Sequence, residues 1–145
     1  MKHYKRFLSI TLALVVTFAG ARAAHAATYY VSDSTGSDSY TAAQAQNPNT
    51  PWKTIDKVES SSSTIQPGDS ILFKRGDVFT GVATNNKVFT WSKSGTASAR
   101  ITFGAYGTGA KPQFQYPIPS PLPSNWAQQA QNRIYMYITG SYITI

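Results

Sequence analysis

Short runs of alternating apolar and polar residues dominate this chain, and such alternation is typical of β-strands that bury one face. Turn-forming Gly, Asn, Asp or Pro residues separate most of the runs. The runs lie at residues 28–32, 70–74, 78–79, 88–91, 100–106, 134–139 and 141–145. Because no regular alternation of strands with long helices is present, the pattern predicts an all-β fold.

One segment near the front has helical periodicity instead. Thr50 is suited to cap a helix, and Pro51 suits the first helical position because its missing N–H costs nothing there. An apolar stripe then recurs at three-residue spacing: Trp52, Ile55 and Val58. We therefore predict a short capping α-helix at residues 51–60 that packs on an apolar surface.

A proline-rich segment at residues 111–125 interrupts the strands. Because proline cannot donate to a β-ladder, we predict an extended excursion here rather than a central strand. Residues 126–131 are predicted to form a polar turn of helix. The strand starts share no single period, so spacing alone leaves both a β-sandwich and a β-solenoid open.

The first 26 residues have the features of a secretory signal peptide. A positive start is followed by an uncharged apolar run at 7–19, shorter than the roughly 20 residues that a membrane-spanning helix needs. The small-x-small sequence at 24–26 predicts cleavage between Ala26 and Ala27. The mature chain is then secreted, either extracellular or periplasmic, and has no membrane segment; a retained anchor is the alternative.

Cleavage would change the charge balance. Four of the thirteen basic residues lie in the leader, so nine remain against six acidic ones, a net charge of +3. No dense basic stripe is present, which argues against a nucleic-acid partner. A mild positive excess is compatible with an acidic polysaccharide.

The types of residue that are missing restrict the chemistry of the mature region. Both histidines, His3 and His25, lie in the leader, and the chain has no cysteine. Nucleophile systems that need His or Cys, the usual zinc ligand sets and disulfides are therefore excluded from residues 27–145. Asp33 and Asp38 offer oxygen ligands for Ca²⁺, but their spacing does not match an EF-hand, and a plain solvated loop is the better explanation.

Four segments of the mature chain carry a family resemblance. They are YYVS with its Gly-Ser-Asp loop, TPWKTI at 50–55, QPGDSILFKRG at 66–76, and SGT with ITFGAYG at 94–107. They resemble the N-terminal region of secreted right-handed parallel β-helix proteins of the pectate-lyase-like superfamily. Together they cover most of residues 28–114.

This resemblance implies that residues 27–145 form the N-terminal cap and first coils of a right-handed parallel β-helix. It also implies a longer relative that is a polysaccharide lyase or a glycoside hydrolase, with Ca²⁺ as a compatible cofactor. Residues 141–145 alternate without a polar cap, so we expect the chain to be truncated and its final strand to self-associate.

No catalytic, cofactor-binding or metal-binding residue can be assigned in residues 27–145. Sugars stack on aromatic faces, so outward aromatic residues are candidate glycan contacts: Trp126, Tyr135 and Tyr137. Trp52 and Trp91 are better explained as core residues. Four cations either pair with carboxylates of an acidic glycan or guard a solvated strand edge: Lys74, Arg75, Arg100 and Lys111.

Three functions therefore remain open. The chain is the N-terminal part of a secreted polysaccharide-acting enzyme and is itself inactive, or it is a non-catalytic glycan-binding or cell-surface module on the same scaffold. The third alternative is an inert truncated product. A fold alone does not choose between the first two.

Overall fold

A computed structural model of the chain describes residues 26–81, 87–117, 121–122, 124 and 134–145. These residues contain one α-helix, α1 (Ile55–Ser60), and one 3-10 helix (Gln44–Gln46). The strands are β1 (Thr28–Val31), β2 (Ser70–Lys74), β3 (Val78–Thr80), β4 (Lys87–Trp91), β5 (Ile101–Tyr106), β6 (Gln113–Gln115), β7 (Ile134–Ile138) and β8 (Ile143–Thr144). The prediction of an all-β fold with one short helix is confirmed.

The described strands pair in parallel and form three sheets, with orders β1-β2-β5-β8, β3-β6 and β4-β7. The chain visits the sheets in rotation, from β2 through β3 and β4 to β5, and from β5 through β6 and β7 to β8. Parallel neighbours cannot be joined by a tight hairpin and need longer connections. The connections from β2 to β5 and from β5 to β8 pass through the other two sheets, whereas that from β1 to β2 contains α1.

The register aligns apolar side chains across the first sheet. Val31, Phe73 and Ala105 lie side by side in neighbouring strands. The inward faces of the sheets meet in one core, in which aromatic rings pack mostly edge to face at centroid distances of 5.0–5.4 Å: Phe73, Phe79, Phe89, Trp91, Phe103 and Phe114. Such pairs add to the stabilisation that burial provides.

Helix α1 begins later than predicted, at Ile55, with Thr54 as its N-cap. The prediction that Thr50 caps a helix starting at Pro51 is therefore wrong. The reason is a long-range pairing: the Trp52 backbone N–H donates to the carbonyl of Tyr30 at 2.9 Å, which keeps this segment extended beside β1. Local capping preferences are weak beside such a pairing.

The predicted stripe is nevertheless buried, although only Ile55 and Val58 of it lie on α1. Trp52, Ile55 and Val58 are fully buried, and Trp52 stacks on Tyr29 with a centroid distance of 5.2 Å. At the end of α1, a Glu59 carboxylate oxygen accepts a hydrogen bond from the Thr90 backbone N–H on β4. Helix α1 thus covers the edge of β4 that β7 does not occupy.

Two other segments differ from the sequence-based expectations. The last strand has only two residues, because Tyr142 has a φ of 56° and this left-handed conformation interrupts the predicted alternation at 141–145. Within the proline-rich excursion, three residues form β6, which lies between Pro112 and Pro117 and pairs with β3. Among the described residues, no helix combines the length and apolar character needed to cross a membrane.

Candidate functional site

The ends of three strands place polar side chains together on the outer face of the first sheet. Lys74 at the end of β2 is paired in register with Tyr106 at the end of β5. Ser32 directly follows β1, whose last residue pairs with the residue before Lys74. Loops that follow the ends of parallel strands commonly carry binding groups, so this region is the first candidate site.

A buried carboxylate organises these side chains. Asp77 is only 8% exposed and accepts hydrogen bonds from the hydroxyls of Ser32 and Ser34, both at 2.8 Å, and from the Ser34 N–H at 3.2 Å. The Lys74 ammonium donates to the Ser34 hydroxyl at 2.9 Å. Burial alone would raise the pKa of Asp77, but the bonds from Ser32 and Ser34, with the charge of Lys74, outweigh it and lower this pKa.

Tyr106 forms one wall of the same region. Its ring packs edge to face on Tyr30 at 4.9 Å, and its hydroxyl approaches Ser32 without a well-oriented hydrogen bond. Burial, with a further contribution from the negative charge of Asp77, raises the pKa of Tyr106. The phenol therefore stays neutral at physiological pH and cannot act as a base.

Lys74 and Tyr106 also line a polar pocket, which we define by Thr35, Pro48, Asn49, Lys74 and Tyr106 and which has a volume of about 390 Å³. It offers a hydroxyl, an amide, an ammonium and an aromatic ring, which are groups that bind sugar hydroxyls and sugar faces. Glycoside hydrolysis needs two carboxylates flanking the bond. The described lining of the polar pocket contains no carboxylate, so the pocket itself supplies neither of these two groups.

A second cavity, of about 320 Å³, opens where the core meets the last strands. Its lining is mainly apolar and includes Phe103, Phe114, Met136 and Ile145, with Arg75 and Lys111 among the polar groups. Ile145 is 79% exposed. This apolar cavity has the character of an uncovered core face rather than of a catalytic cleft.

The predicted glycan contacts lie on a different sheet from the polar pocket. Tyr135 is 48% exposed and Tyr137 is 38% exposed on β7. The Lys87 ammonium sits 3.4 Å from the ring centroid of Tyr137, so a cation already occupies one face of that ring. The third predicted contact, Trp126, lies outside the described residues. Both tryptophans predicted to be core, Trp52 and Trp91, are buried.

The four predicted cations are distributed around the fold. Lys74 belongs to the polar pocket, while Arg75 and Lys111 contribute to the apolar cavity. The Arg100 guanidinium lies 5.9 Å from the ring centroid of Tyr142. No single surface therefore gathers all four, and a binding stripe for an acidic glycan is not formed by this set.

Asp38, one of the two candidate calcium ligands, has a structural role. Its carboxylate accepts hydrogen bonds from the N–H groups of Lys53 and Thr54 and from the Thr54 hydroxyl, at 2.7–3.0 Å. These bonds fix the residues that lead into α1. Within the described ranges, no group of three or more His, Cys, Asp or Glu side chains is placed to hold a metal ion.

Sequence reasoning missed the two buried aspartates, Asp69 and Asp77, and treated both as turn residues. Asp69 is 3% exposed, and its carboxylate accepts hydrogen bonds from the N–H groups of Ala27 and Gln66 at 2.8 and 2.7 Å. The sequence did offer one signal. Each aspartate follows a glycine and directly precedes a strand, β2 in the case of Asp69 and β3 in the case of Asp77. Such a position allows a carboxylate to bind the backbone of a neighbouring strand.

Comparison with known proteins found relatives among carbohydrate-active enzymes. No family model matches the chain. Over 80 residues it is 39% identical to a lacto-N-biosidase of Bifidobacterium longum subsp. longum, a match that covers 55% of this chain and 5% of that enzyme. The chain is thus similar in part to a glycoside hydrolase, and it spans about one twentieth of the length of that curated relative.

Among solved structures, the chain is similar to the GH136 lacto-N-biosidase of Eubacterium ramulus. The native structure matches with 36% identity and a TM-score of 0.44, and the selenomethionine derivative with 35% identity and a TM-score of 0.45. Each match covers 59% of this chain and 12% of the solved chain.

Proposed function

We propose that this chain is the N-terminal part of a secreted glycoside hydrolase of the lacto-N-biosidase kind, to which it contributes the capping helix and the first coils of a right-handed parallel β-helix. The identity of 39% over 80 residues to the Bifidobacterium enzyme carries the proposal. The matched region is only a small part of that enzyme. We therefore assign to this chain a contribution to the scaffold and not the complete activity.

The strand topology supports the proposed coils. In a parallel β-helix each coil gives one strand to each sheet, and β2, β3 and β4 pair in that order with β5, β6 and β7. Each coil would bury its inner face on the next one. A right-handed sense is the expected one for parallel strands that are joined by crossovers.

Helix α1 is the proposed cap of the first coil. Ile55 and Val58 bury the apolar face of the helix, and Glu59 satisfies the Thr90 N–H on the edge of β4. An uncovered strand edge invites pairing with other chains, so a repeat fold needs a terminal cap of this kind. The scaffold role thus accounts for the most buried part of the chain.

We assign no catalytic residue to residues 27–145 and expect the chain alone to be inactive on glycans. A hydrolase needs one carboxyl group as acid and another as base or nucleophile. Asp38, Asp69 and Asp77 instead accept hydrogen bonds that hold neighbouring segments together. The substrate that we propose for the complete enzyme is a poly- or oligosaccharide with a lacto-N-bioside group. Whether this glycan also carries acidic groups is a separate prediction, which rests on the net positive charge of the mature chain.

A non-catalytic glycan-binding module is the second candidate. The polar pocket favours it, because Lys74, Thr35 and Asn49 present hydrogen-bonding groups beside the Tyr106 ring. The exposed Tyr135 offers a separate stacking surface. Binding of glycans by the isolated chain, without cleavage, would support this function over a purely structural one.

A segment exchange tests the scaffold proposal. The 80 matched residues of the Bifidobacterium enzyme are replaced by those of this chain, and hydrolysis of a chromogenic aryl lacto-N-bioside is measured. We expect the chimera to keep its kcat within about tenfold of the parent, because the two segments would form equivalent coils. A control chimera carries a flexible linker of equal length and should be inactive or insoluble.

Two outcomes would contradict the proposal. Equal activity of the linker control would mean that the segment is not part of the folded enzyme. Turnover of the aryl glycoside by this chain alone would mean that it contains catalytic residues. The predicted secretion is tested separately, by expressing the chain with its leader and identifying the N-terminal residue of the exported product by mass spectrometry.

A further inference from the structure

The start of the mature chain is held against a buried carboxylate. The Ala27 nitrogen lies 2.8 Å from Oδ1 of Asp69, a residue that is 3% exposed. Ala27 is the residue at which the predicted signal cleavage would create a new N-terminus. The neighbouring Ala26 is exposed, so the chain leaves the fold toward solvent at this point.

Cleavage would change the chemistry of this contact. Hydrolysis of the Ala26–Ala27 peptide bond consumes one water, leaves a carboxyl group on Ala26, and turns the Ala27 amide nitrogen into a primary amine. That amine takes up a proton, since the ordinary pKa of an α-amino group is about 7.7–8.0. A neutral amide donor would thus be replaced by a cation at hydrogen-bonding distance from a carboxylate.

We propose that Asp69 is the docking residue for the processed N-terminus, and that the Ala27 α-ammonium and the Asp69 carboxylate form an ion pair that locks β1 onto β2. This inference rests on the processing site in the proposed function. It adds a consequence of processing: removal of the leader strengthens the first strand pairing of the fold.

The geometry around the pair is fixed on both sides. The Ala27 carbonyl accepts a hydrogen bond from the Ser70 N–H at 2.8 Å, which anchors Ala27 at the start of the β1–β2 ladder. The Asp69 carbonyl accepts from the Thr102 N–H at 2.9 Å, which ties Asp69 to β5. Gln66 donates its N–H to the second carboxylate oxygen at 2.7 Å. Because Ala27 and Asp69 are already held in place, little conformational entropy is lost when the ion pair between them forms.

The ammonium would also keep contact with water. Ala27 is half-buried, and a cavity of about 500 Å³ beside it is lined by Ala26, Gly68, Arg100 and Thr102 among others. A cation paired on one side and hydrated on the other avoids most of the desolvation cost of a fully buried pair. The ionisable groups around the pair are Tyr29, which feels the charge of Asp69, and Arg100 in the cavity wall.

The test compares the secreted, processed chain with the same chain blocked by Nα-acetylation, which removes the charge and keeps the N–H. Melting temperatures are measured from pH 5 to pH 10. We expect the free-amine form to melt about 5 °C higher at pH 6. An ion pair raises the pKa of the amine, so this advantage is present below the unfolded-state value and is lost as the pH rises through the folded-state value.

Two variants assign the effect to Asp69. In Asp69→Asn the difference between free and acetylated forms should vanish at every pH, whereas in Asp33→Asn it should remain. If Asp69→Asn does not fold, the comparison of the free and acetylated forms of the unsubstituted chain across the pH series still tests the ion pair. Equal melting temperatures of its two forms at pH 6 would overturn the proposal.

A wrong cleavage site and an absent ion pair would give different experimental results. A mature N-terminus other than Ala27 would contradict the cleavage site. The pair itself can then be tested on a chain that a fusion-tag protease releases at Ala27 without extra residues, with the same acetylated control.

Discussion

The carboxylate of Glu59 on helix α1 accepts a hydrogen bond from the backbone N–H of Thr90 on strand β4. These residues are 31 positions apart in sequence, and their contact closes the edge of β4 opposite to β7. A backbone donor that would otherwise offer a pairing site to another chain is thereby satisfied from within.

Replacing Glu59 should change how stability depends on pH. Burial, with a smaller effect of Asp56, raises the pKa of Glu59 despite the bond from Thr90. The folded state then binds more protons than the unfolded state, so stability falls as the pH rises from 4.5 through the raised folded-state value. In Glu59→Gln this decline should disappear from urea unfolding curves.

Glu59→Ala serves as the companion variant to Glu59→Gln. It removes both the acceptor and the titrating group, so it should lower the free energy of unfolding by about 1 kcal/mol at pH 4.5, and this loss should shrink as the pH rises through the folded-state value. A Glu59→Gln protein that keeps the same decline with pH would show that Glu59 does not cause it.

Asp77 should give the opposite pH dependence. Its pKa is lowered in the fold, so its contribution to stability is present above pH 3.8 and is lost as the pH falls through the folded-state value. Asp77→Ala should lower the free energy of unfolding at pH 7 by about 2–3 kcal/mol, because Ser32 and Ser34 lose a charged acceptor.

Guanidinium unfolding of Asp77→Ala at pH 7 and pH 2.5 checks this prediction. The difference in the free energy of unfolding between Asp77→Ala and the original chain should be smaller at pH 2.5 than at pH 7. A constant gap would mean that the carboxylate charge is not what Ser32 and Ser34 stabilise.

Trp52, in the extended segment that leads into the capping helix α1, should be the most costly side chain of this region to remove. It is fully buried, stacks on Tyr29, and donates its indole N–H to the Tyr40 carbonyl at 3.0 Å. Trp52→Ala should destabilise by about 3–5 kcal/mol, which is enough to unfold a marginal domain. Trp52→Phe keeps an aromatic ring and should cost less.

The exposed Tyr135 provides the control for Trp52. Tyr135→Ala should change the free energy of unfolding by less than about 0.5 kcal/mol. If circular dichroism melts of Trp52→Ala and Tyr135→Ala coincide, the assigned role of Trp52 in the cap is wrong.

Gly36 is predicted to tolerate no side chain. A Cβ there would lie 2.3 Å from the Trp52 carbonyl oxygen and 2.4 Å from that of Ser32, and backbone atoms cannot move aside as a flexible side chain can. Gly36→Ala should lose more than about 2 kcal/mol of stability.

Gly104→Ala is the matched comparison. Its Cβ would meet only the end of the Leu72 side chain at 3.0 Å, so a small shift suffices. Thermal denaturation of both variants decides the matter, and a similar melting temperature for the two would contradict the steric argument.

Tyr135 and Tyr137 should differ in glycan binding. The Tyr135 ring is exposed, whereas Lys87 covers one face of Tyr137. If this region binds sugars, Tyr135→Ala should weaken affinity about fivefold or more, the loss expected for one stacking contact of about 1 kcal/mol. Lys87→Met should strengthen it, because a second ring face becomes free.

Titration calorimetry with a lacto-N-bioside oligosaccharide measures both effects. Unchanged affinity in Tyr135→Ala would show that the exposed face of β7 does not bind this glycan. The polar pocket would then be the remaining candidate binding surface.

Strands with strict alternation were predictable from the sequence. In β5, Ile101 and Phe103 are buried while Thr102 and Gly104 alternate with them, as the period of two requires. The helix start was not predictable, because the local signal at Thr50 and Pro51 competes with the pairing of Trp52 beside β1. Local sequence spacing contains no information on the pairing of Trp52 with Val31, 21 positions away.

The candidate site was less accessible to sequence reasoning. Asp77 and Ser32 are 45 positions apart, and only the coiling of the chain through three sheets brings them together. The outward direction of Tyr135 and Tyr137 followed from alternation, but the cation on Tyr137 comes from a neighbouring strand. Contacts between residues that are far apart in sequence are decided by packing that no local pattern records.

The covered edges of β1 and β4 also limit how copies of this chain can associate. Within the described part of the chain, β8 is paired only on its β5 side, whereas β1, at the other edge of the same sheet, is bridged by Trp52, and Glu59 covers the edge of β4. Two molecules that meet through β8 would each use the same surface, so the contact is closed by a two-fold axis. Open-ended fibre growth requires two different complementary surfaces, and the bridge from Trp52 to Val31 occupies the β1 edge that would complement β8.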